Sequence, residues 1–305
     1  MRLELKDIHK SFGGKEVLKG INFSVESGRA LGLLGRNGAG KTTSIRIIMD
    51  IFRADSGQVL LDGKPFEPSK NQVGYLPEER GMYPKKTILE QMVYFAKLRG
   101  LDKKKAVENS RKWLEHLQVI EYEKRKLDTL SKGNQQKVQL ATTLVCDPDI
   151  VVLDEPFSGL DPVNSQILKD VIRERIEAGK IVIFSSHQMS YVEEFCEDIA
   201  IINEGEVVLS GSLDAIKDEY GRGRKVLSAV NRSLDELEQC CTKKLSDVLR
   251  MEGRNKHSMI FCLNEGVDQW RALDRIREEG IEIDTYGSYE PSLNDIFVAC
   301  AGKES

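Results

Sequence analysis

The chain has 305 residues, 40% of them hydrophobic and 31% charged, which suits a folded protein with room for two domains. Lys and Arg number 45 against 49 Asp and Glu, a net charge of −4, so the basic excess of a dedicated nucleic-acid binder is missing and no nucleic-acid partner is expected. No stretch approaches the roughly 18 consecutive apolar residues of a membrane span, and the N-terminus shows no apolar core followed by a small-residue cleavage site. The expected seat is the cytosol, with any membrane work done through a partner. Cys146, Cys196, Cys240, Cys241, Cys262 and Cys300 form no Cys-x-x-Cys pair and read as reduced thiols packed as small apolar groups.

Leu3, Leu5 and Ile8 alternate with charges and predict a first strand. Ala30–Leu34 is a short apolar run that stops at a glycine-rich turn. Residues 58–61 run into Asp62-Gly63, a strand meeting a tight turn, and 73–75 predict another short strand. Over 87–145 the pattern becomes helical, opening on a capping box of Thr87 and Glu90, with Gly100 suited to a helix end. Residues 150–153 and 181–185 are apolar runs of the kind found in strands buried on both faces. Residues 199–202, Glu204-Gly205 and 207–209 predict a closing hairpin. This alternation argues an α/β domain over 1–220. Tyr-Gly-Arg-Gly-Arg at 220–224 breaks the pattern, and a domain boundary is placed there. Within 221–305 the order is strand (226–230), helix (234–241), strand (245–251), strand (258–263), helix (270–279), strand (281–286), a small α+β domain of ferredoxin-like type. Pro291-Ser292-Leu293 then starts a last short helix reaching Ala299.

Gly35-Arg36-Asn37-Gly38-Ala39-Gly40-Lys41-Thr42 has the spacing of a phosphate-binding loop between a buried strand and a helix. Its glycines allow backbone amides to wrap closely around phosphates, and the helix N-terminus faces the same anion. Lys41 is expected to neutralise the β- and γ-phosphates, the Thr42 hydroxyl to hold Mg²⁺, and Thr43 to serve the α-phosphate. The apolar run at 150–153 leads straight into Asp154-Glu155-Pro156. Two adjacent acids at the C-terminal end of a buried strand are costly unless they serve a site. Asp154 is placed for the Mg²⁺ shell and Glu155 for taking a proton from an attacking water.

These motifs stand in order with Leu130-Ser131-Lys132-Gly133-Asn134-Gln135-Gln136, Ser158-Gly159-Leu160-Asp161 and Ser185-Ser186-His187. Over residues 3–220 the chain resembles the ATP-binding subunits of ATP-binding cassette (ABC) transporters, and 130–136 resembles that family's signature motif. The resemblance implies a P-loop NTPase fold with an inserted helical subdomain, ATP hydrolysis with Mg²⁺, a membrane permease on separate chains, and a seat at the inner face of the cell membrane. It implies that Phe12 stacks on adenine, the alternative being a core phenylalanine, and that His187 contacts the γ-phosphate. It further implies that Ser131 and Gly133 face ATP held by an opposite subunit, with Asp161 at the seam of a homodimer or of a heterodimer with a second cassette. Cassette ATPases acting on nucleic acid usually pair two cassettes in one chain or carry a long coiled coil, and neither is present. Three positions depart from the family pattern. Lys132 replaces a usual glycine, and either helps hold phosphate or points into solvent. Asn134 stands for glutamine. Glu78 replaces a glutamine that touches Mg²⁺ or water, with Arg80 a candidate partner for Glu78 or Glu79. Met82 and Tyr83 lie where a permease helix docks in this family. The tail, through Pro291 to Phe297, resembles the extra domain of bacterial exporter ATPases, sodium and drug efflux among them.

Overall fold

A computed structural model describes residues 1–69, 72–79 and 81–301. Arg80 lies outside the described residues, as do 302–305 of the expected second domain. The chain divides into two compact units, one built mainly from Met1–Leu213 and the other from Asp214–Ala299.

The first unit opens on long strands β1 (Arg2–Phe12) and β2 (Lys15–Glu26), followed by β3 (Ala30–Leu34) and α1 (Lys41–Ile48). Next come β4 (Ser56–Leu61), β5 (Lys64–Pro65) and β6 (Val73–Leu76), then helices α2 (Ile88–Leu98), α3 (Lys103–His116) and α4 (Lys132–Leu144). It closes with β7 (Ile150–Asp154), α5 (Pro162–Glu177), β8 (Ile181–Ser186), α6 (Met189–Phe195), β9 (Asp198–Asn203) and β10 (Glu206–Ser212). Strands β2-β1-β4-β5 make an antiparallel sheet, and a six-stranded sheet runs β10-β9-β3-β8-β7-β6. In the larger sheet only β10 pairs antiparallel. Every residue of β3, β7 and β8 is buried, which explains their continuous apolar runs. Because β3, β6, β7 and β8 run parallel, the segments after Leu34, Leu76, Leu153 and Ser186 leave the same edge of the sheet. That edge is where ligands bind in open α/β sheets.

Local chemistry accounts for the punctuation. Asp62 and Gly63 take left-handed backbone in the β4–β5 turn, as do Glu204 and Gly205 between β9 and β10. The expected capping box is formed: the Thr87 side chain accepts from the Glu90 amide, and the Glu90 carboxylate from the Thr87 amide. One apolar core joins both sheets to α1, through residues such as Leu5, Ile21, Leu33, Ile45 and Val152.

The second unit carries α7 (Leu213–Gly221), β11 (Arg224–Ala229), α8 (Leu234–Lys244), β12 (Leu249–Arg254), β13 (Met259–Leu263), α9 (Gln269–Glu278), β14 (Ile283–Ser288) and α10 (Leu293–Ala301). The division into compact units falls at the start of α7, and the glycine-rich stretch at 220–224 follows at the end of that helix. Its sheet is antiparallel in the order β12-β13-β11-β14, the ferredoxin-like arrangement, packed on α8 and α9 through Leu227, Leu237, Phe261 and Ile276. Helix α8 runs on to Lys244 past its expected end, because Cys-Thr-Lys-Lys contains no helix breaker, and β12 starts later than the pattern suggested. All six cysteines are free thiols. Among the described residues no helix is long and apolar enough to cross a membrane.

Candidate active site

A cleft of about 490 Å³ lies at the C-terminal edge of the parallel strands. It is lined by Asn37, Gly38, Gly40, Lys41, Thr42 and Thr43 of the glycine loop, by Glu78, Asp154, Glu155 and His187, and by Val17 and Arg36. The loop is shaped by close approach: a Cβ on Gly35 would stand 2.4 Å from the Ile202 carbonyl oxygen and 3.0 Å from the Ala39 Cβ. Gly38 and Gly40 have φ of 83° and 118°, backbone that ordinary side chains rarely adopt. Lys41 is buried, and its ammonium donates to the Gly35 carbonyl at 2.7 Å. Burial lowers its pKa, while Glu155, Asp154 and Glu78 act in the opposite direction.

The two acids are organised by Ser185, a residue that the sequence placed in a motif without a role. Its hydroxyl donates to Asp154 Oδ1 at 2.5 Å and accepts from the Glu155 amide at 3.1 Å. Asp154 Oδ2 is buried and has no hydrogen-bond partner among the described residues, an expensive state for a carboxylate oxygen unless a cation completes it. Glu155 sits in left-handed backbone at φ 49°, strain of the kind concentrated at functional sites. Its Oε2 lies 2.8 Å from Nδ1 of His187. Burial pushes the Glu155 carboxyl upward, against the pull of His187 and Lys41.

Six expected site residues do not line this cleft: Gly35 and Ala39, which belong to the loop itself, and Phe12, Ser131, Gly133 and Asp161. Phe12 is exposed, edge-on to Phe52 at a centroid distance of 5.2 Å and under the Lys10 ammonium at 5.4 Å. Ser131 caps α4, its side chain accepting from the Asn134 amide at 3.3 Å. Gly133 follows, and a Cβ there would meet Asn164 Nδ2 at 2.8 Å. Asp161 caps α5 and accepts from both the amide and Nδ2 of Asn164, which hold its carboxyl below the ordinary range. Lys132 is exposed. Asn164 and Gln136, whose amide donates to the Pro156 carbonyl at 3.1 Å, thus tie the start of α4 to the loops after β7. Sequence reading missed Asn164 and gave Gln136 a place in the signature motif but no role, since neither tie is visible until the fold sets α4 beside α5.

Fold and cleft together define a phosphate-binding α/β protein of the P-loop class. The ABC transporter family model matches residues 18–158, and the C-terminal domain model of the DrrA1-3-like ATP-binding proteins matches 211–301. The uncharacterised ABC transporter ATP-binding protein YhaQ of Bacillus subtilis is 36% identical, with 98% of each chain covered. The linearmycin resistance ATP-binding protein LnrL of the same organism is 34% identical over 81% of this chain and 80% of its own. A solved ATP-binding subunit of an ABC transporter superposes with a TM-score of 0.67 at 28% identity, covering 80% of this chain and all of the other. The chain belongs to the ATP-binding subunits of ABC transporters: it binds nucleotide, hydrolyses ATP and works with a membrane permease.

Proposed function

We propose that this chain drives an exporter by closing with a second cassette over two Mg²⁺–ATP at the inner face of the cell membrane. The observation that carries the site assignment is the juxtaposition of the glycine cradle with Asp154, whose buried Oδ2 lacks a partner. Thr42 and Asp154, with Glu78 on the same cleft, fit a divalent cation, which neutralises phosphate charge when bound. Amides from Gly35 to Thr43 and the Lys41 ammonium hold the phosphates. Glu155 accepts a proton from water as the water oxygen bonds to the γ-phosphorus and the bond to the bridging oxygen breaks, leaving ADP and phosphate. His187, already against Glu155, orients that carboxylate and reaches the γ-phosphate. Phe12, standing exposed, takes the adenine face. Ser131, Gly133 and Asp161 lie outside their own cleft, which supports their serving a nucleotide held by the opposite subunit. Homodimer and paired related cassettes both satisfy this arrangement.

Resistance in the name of one relative supports outward transport, as does the DrrA1-3-like tail. Exposed Tyr83, stacked on Phe95 with ring centroids 5.9 Å apart, offers the permease an aromatic contact beside Met82. The decisive experiment is Mg²⁺-dependent ATPase measurement beside Glu155→Gln. The variant should lose about 100-fold or more in rate and accumulate as a nucleotide-bound dimer. Equal rates for the two, or phosphates bound away from the glycine loop in a nucleotide-soaked crystal, would overturn the reading. In the same assay Glu78→Gln should need more Mg²⁺ for half-maximal rate. An unchanged requirement removes Glu78 from the metal.

A further inference from the structure

The net charge of −4 conceals an uneven distribution. Residues 85–145, which include α2, α3 and α4, hold 14 Lys and Arg against 7 Asp and Glu, while the rest of the chain holds 31 against 42. The excess is densest where α2 turns into α3. Residues 97–105 carry Lys97, Arg99, Lys103, Lys104 and Lys105 with a single acid, Asp102. That acid is spent on the helix end, accepting from the amides of Lys104 and Lys105 at 2.9 and 3.0 Å. The four lysines are exposed and none has an ion-pair partner among the described residues. Elsewhere in this unit basic side chains are commonly paired, as with Lys10–Asp55, Arg29–Asp198 and Lys180–Asp149. The last turn of α2 also exposes Tyr94 and Leu98, four residues apart and so on one helix face, at 49% and 66% of their surface.

We infer that this α2–α3 corner is a docking surface for anionic phospholipid headgroups. Five cations within nine residues, beside an exposed leucine and tyrosine, match what an anionic leaflet attracts: diffuse positive charge plus a small apolar and aromatic anchor. Lysine, a hydrated point charge on a flexible stem, suits a laterally mobile layer of headgroups, whereas a fixed carboxylate on a protein partner favours the planar fork of arginine. The negative remainder of the chain is repelled by the same leaflet, so the uneven charge orients the subunit with this corner toward the lipid. The attraction acts only within about 8 Å at physiological ionic strength, so it supplements a permease rather than replacing it. The surface rests on the proposed seat at the membrane face for its setting, but its test needs neither ATP nor permease.

Full-length protein is floated with phosphatidylcholine vesicles, with and without phosphatidylglycerol. Binding should require the anionic lipid and weaken as salt is raised. Replacing Lys103, Lys104 and Lys105 together by serine should reduce it at least about tenfold. Leu98→Ser should lower it further, and ATPase activity should stay at the wild-type level in every variant, which also reports on folding. Equal binding to neutral vesicles, or unaltered binding by the triple variant, overturns the inference. So does a triple variant that keeps vesicle binding while losing co-purification with its permease, which would assign the corner to a protein partner. Loss of ATPase in Glu155→Gln tests the catalytic reading separately.

Discussion

In the cleft at the glycine loop Lys41, Asp154 and Glu155 are all buried, one carboxylate oxygen has no partner among the described residues, and the glutamate sits in left-handed backbone. In the C-terminal unit the charged side chains stay at the surface in pairs such as Lys244–Glu279 and Arg275–Asp247, and its buried cluster is mostly apolar. Among the described residues there, the Tyr286 hydroxyl is the one buried side-chain polar atom lacking a partner. Burying charge without full satisfaction costs folding energy, so a fold tolerates it where an absent ligand will complete it. The C-terminal unit shows the opposite economy, consistent at each level and without a comparable cluster. This contrast supports the proposal that the chemistry belongs to the cleft and not to the second unit.

The largest expected effect lies on the quiet side of the comparison. Phe261 is fully buried between the sheet and helices of the second unit. Phe261→Ala should destabilise that unit by about 3–5 kcal/mol. Denaturant unfolding should show this as an early transition, with nucleotide binding by the first unit retained. A variant that lost nucleotide binding in step with that transition would break the division of labour.

A smaller effect of opposite sign is expected in the cleft. Burial raises the Glu155 carboxyl in the folded state, so the folded protein holds that proton to higher pH than the unfolded chain does. The associated stability is present below the ordinary carboxylate range, near pH 4, and is lost as pH rises through the raised value. Glutamine carries no charge to desolvate. Glu155→Gln should therefore melt above wild type at neutral pH, and the gap should close on acidification toward pH 4. A gap that widened in acid would mean that the His187 contact, rather than burial, governs this carboxylate.

The same contrast explains what could be read without coordinates. Wherever function or a turn demands particular residue types at fixed spacing, the sequence was legible: the loop at 35–42, Asp154-Glu155, the Thr87–Glu90 capping box and the Glu204-Gly205 turn. The ferredoxin-like order was legible too, because its strands and helices alternate with clear apolar periods. Less visible was the separate antiparallel sheet: β4 pairs with β1 across a distance that no local pattern encodes, whereas the β1–β2 hairpin turns on Gly13-Gly14, both in left-handed backbone, a local signal that the sequence reading passed over. Ser185 escaped a role for a related reason. It reaches Asp154 and the Glu155 amide from the neighbouring parallel strand, and a common serine announces nothing until β7 and β8 lie side by side.

Asn164 offers the finest test, because it belongs to neither the cleft lining nor the apolar core. Its side chain donates to Asp161 at 2.5 Å and packs where a Cβ on Gly133 would intrude, so it holds the turn before α5 against the start of α4. If Asp161 and Gly133 serve the opposite nucleotide, Asn164 positions both without touching it. Asn164→Ala should then lower kcat by up to about tenfold while KM for ATP stays near wild type, since the chain's own cradle is untouched. Asn164→Asp should fall further, as a second carboxylate beside Asp161 repels it. Loss of fold alone would instead lower the melting temperature and the amount of active enzyme, leaving the order of Ala and Asp unexplained. Should kcat survive both substitutions, the tie between α4 and α5 is packing only, and the contrast between a reactive cleft and a quiet remainder ends at the cleft wall.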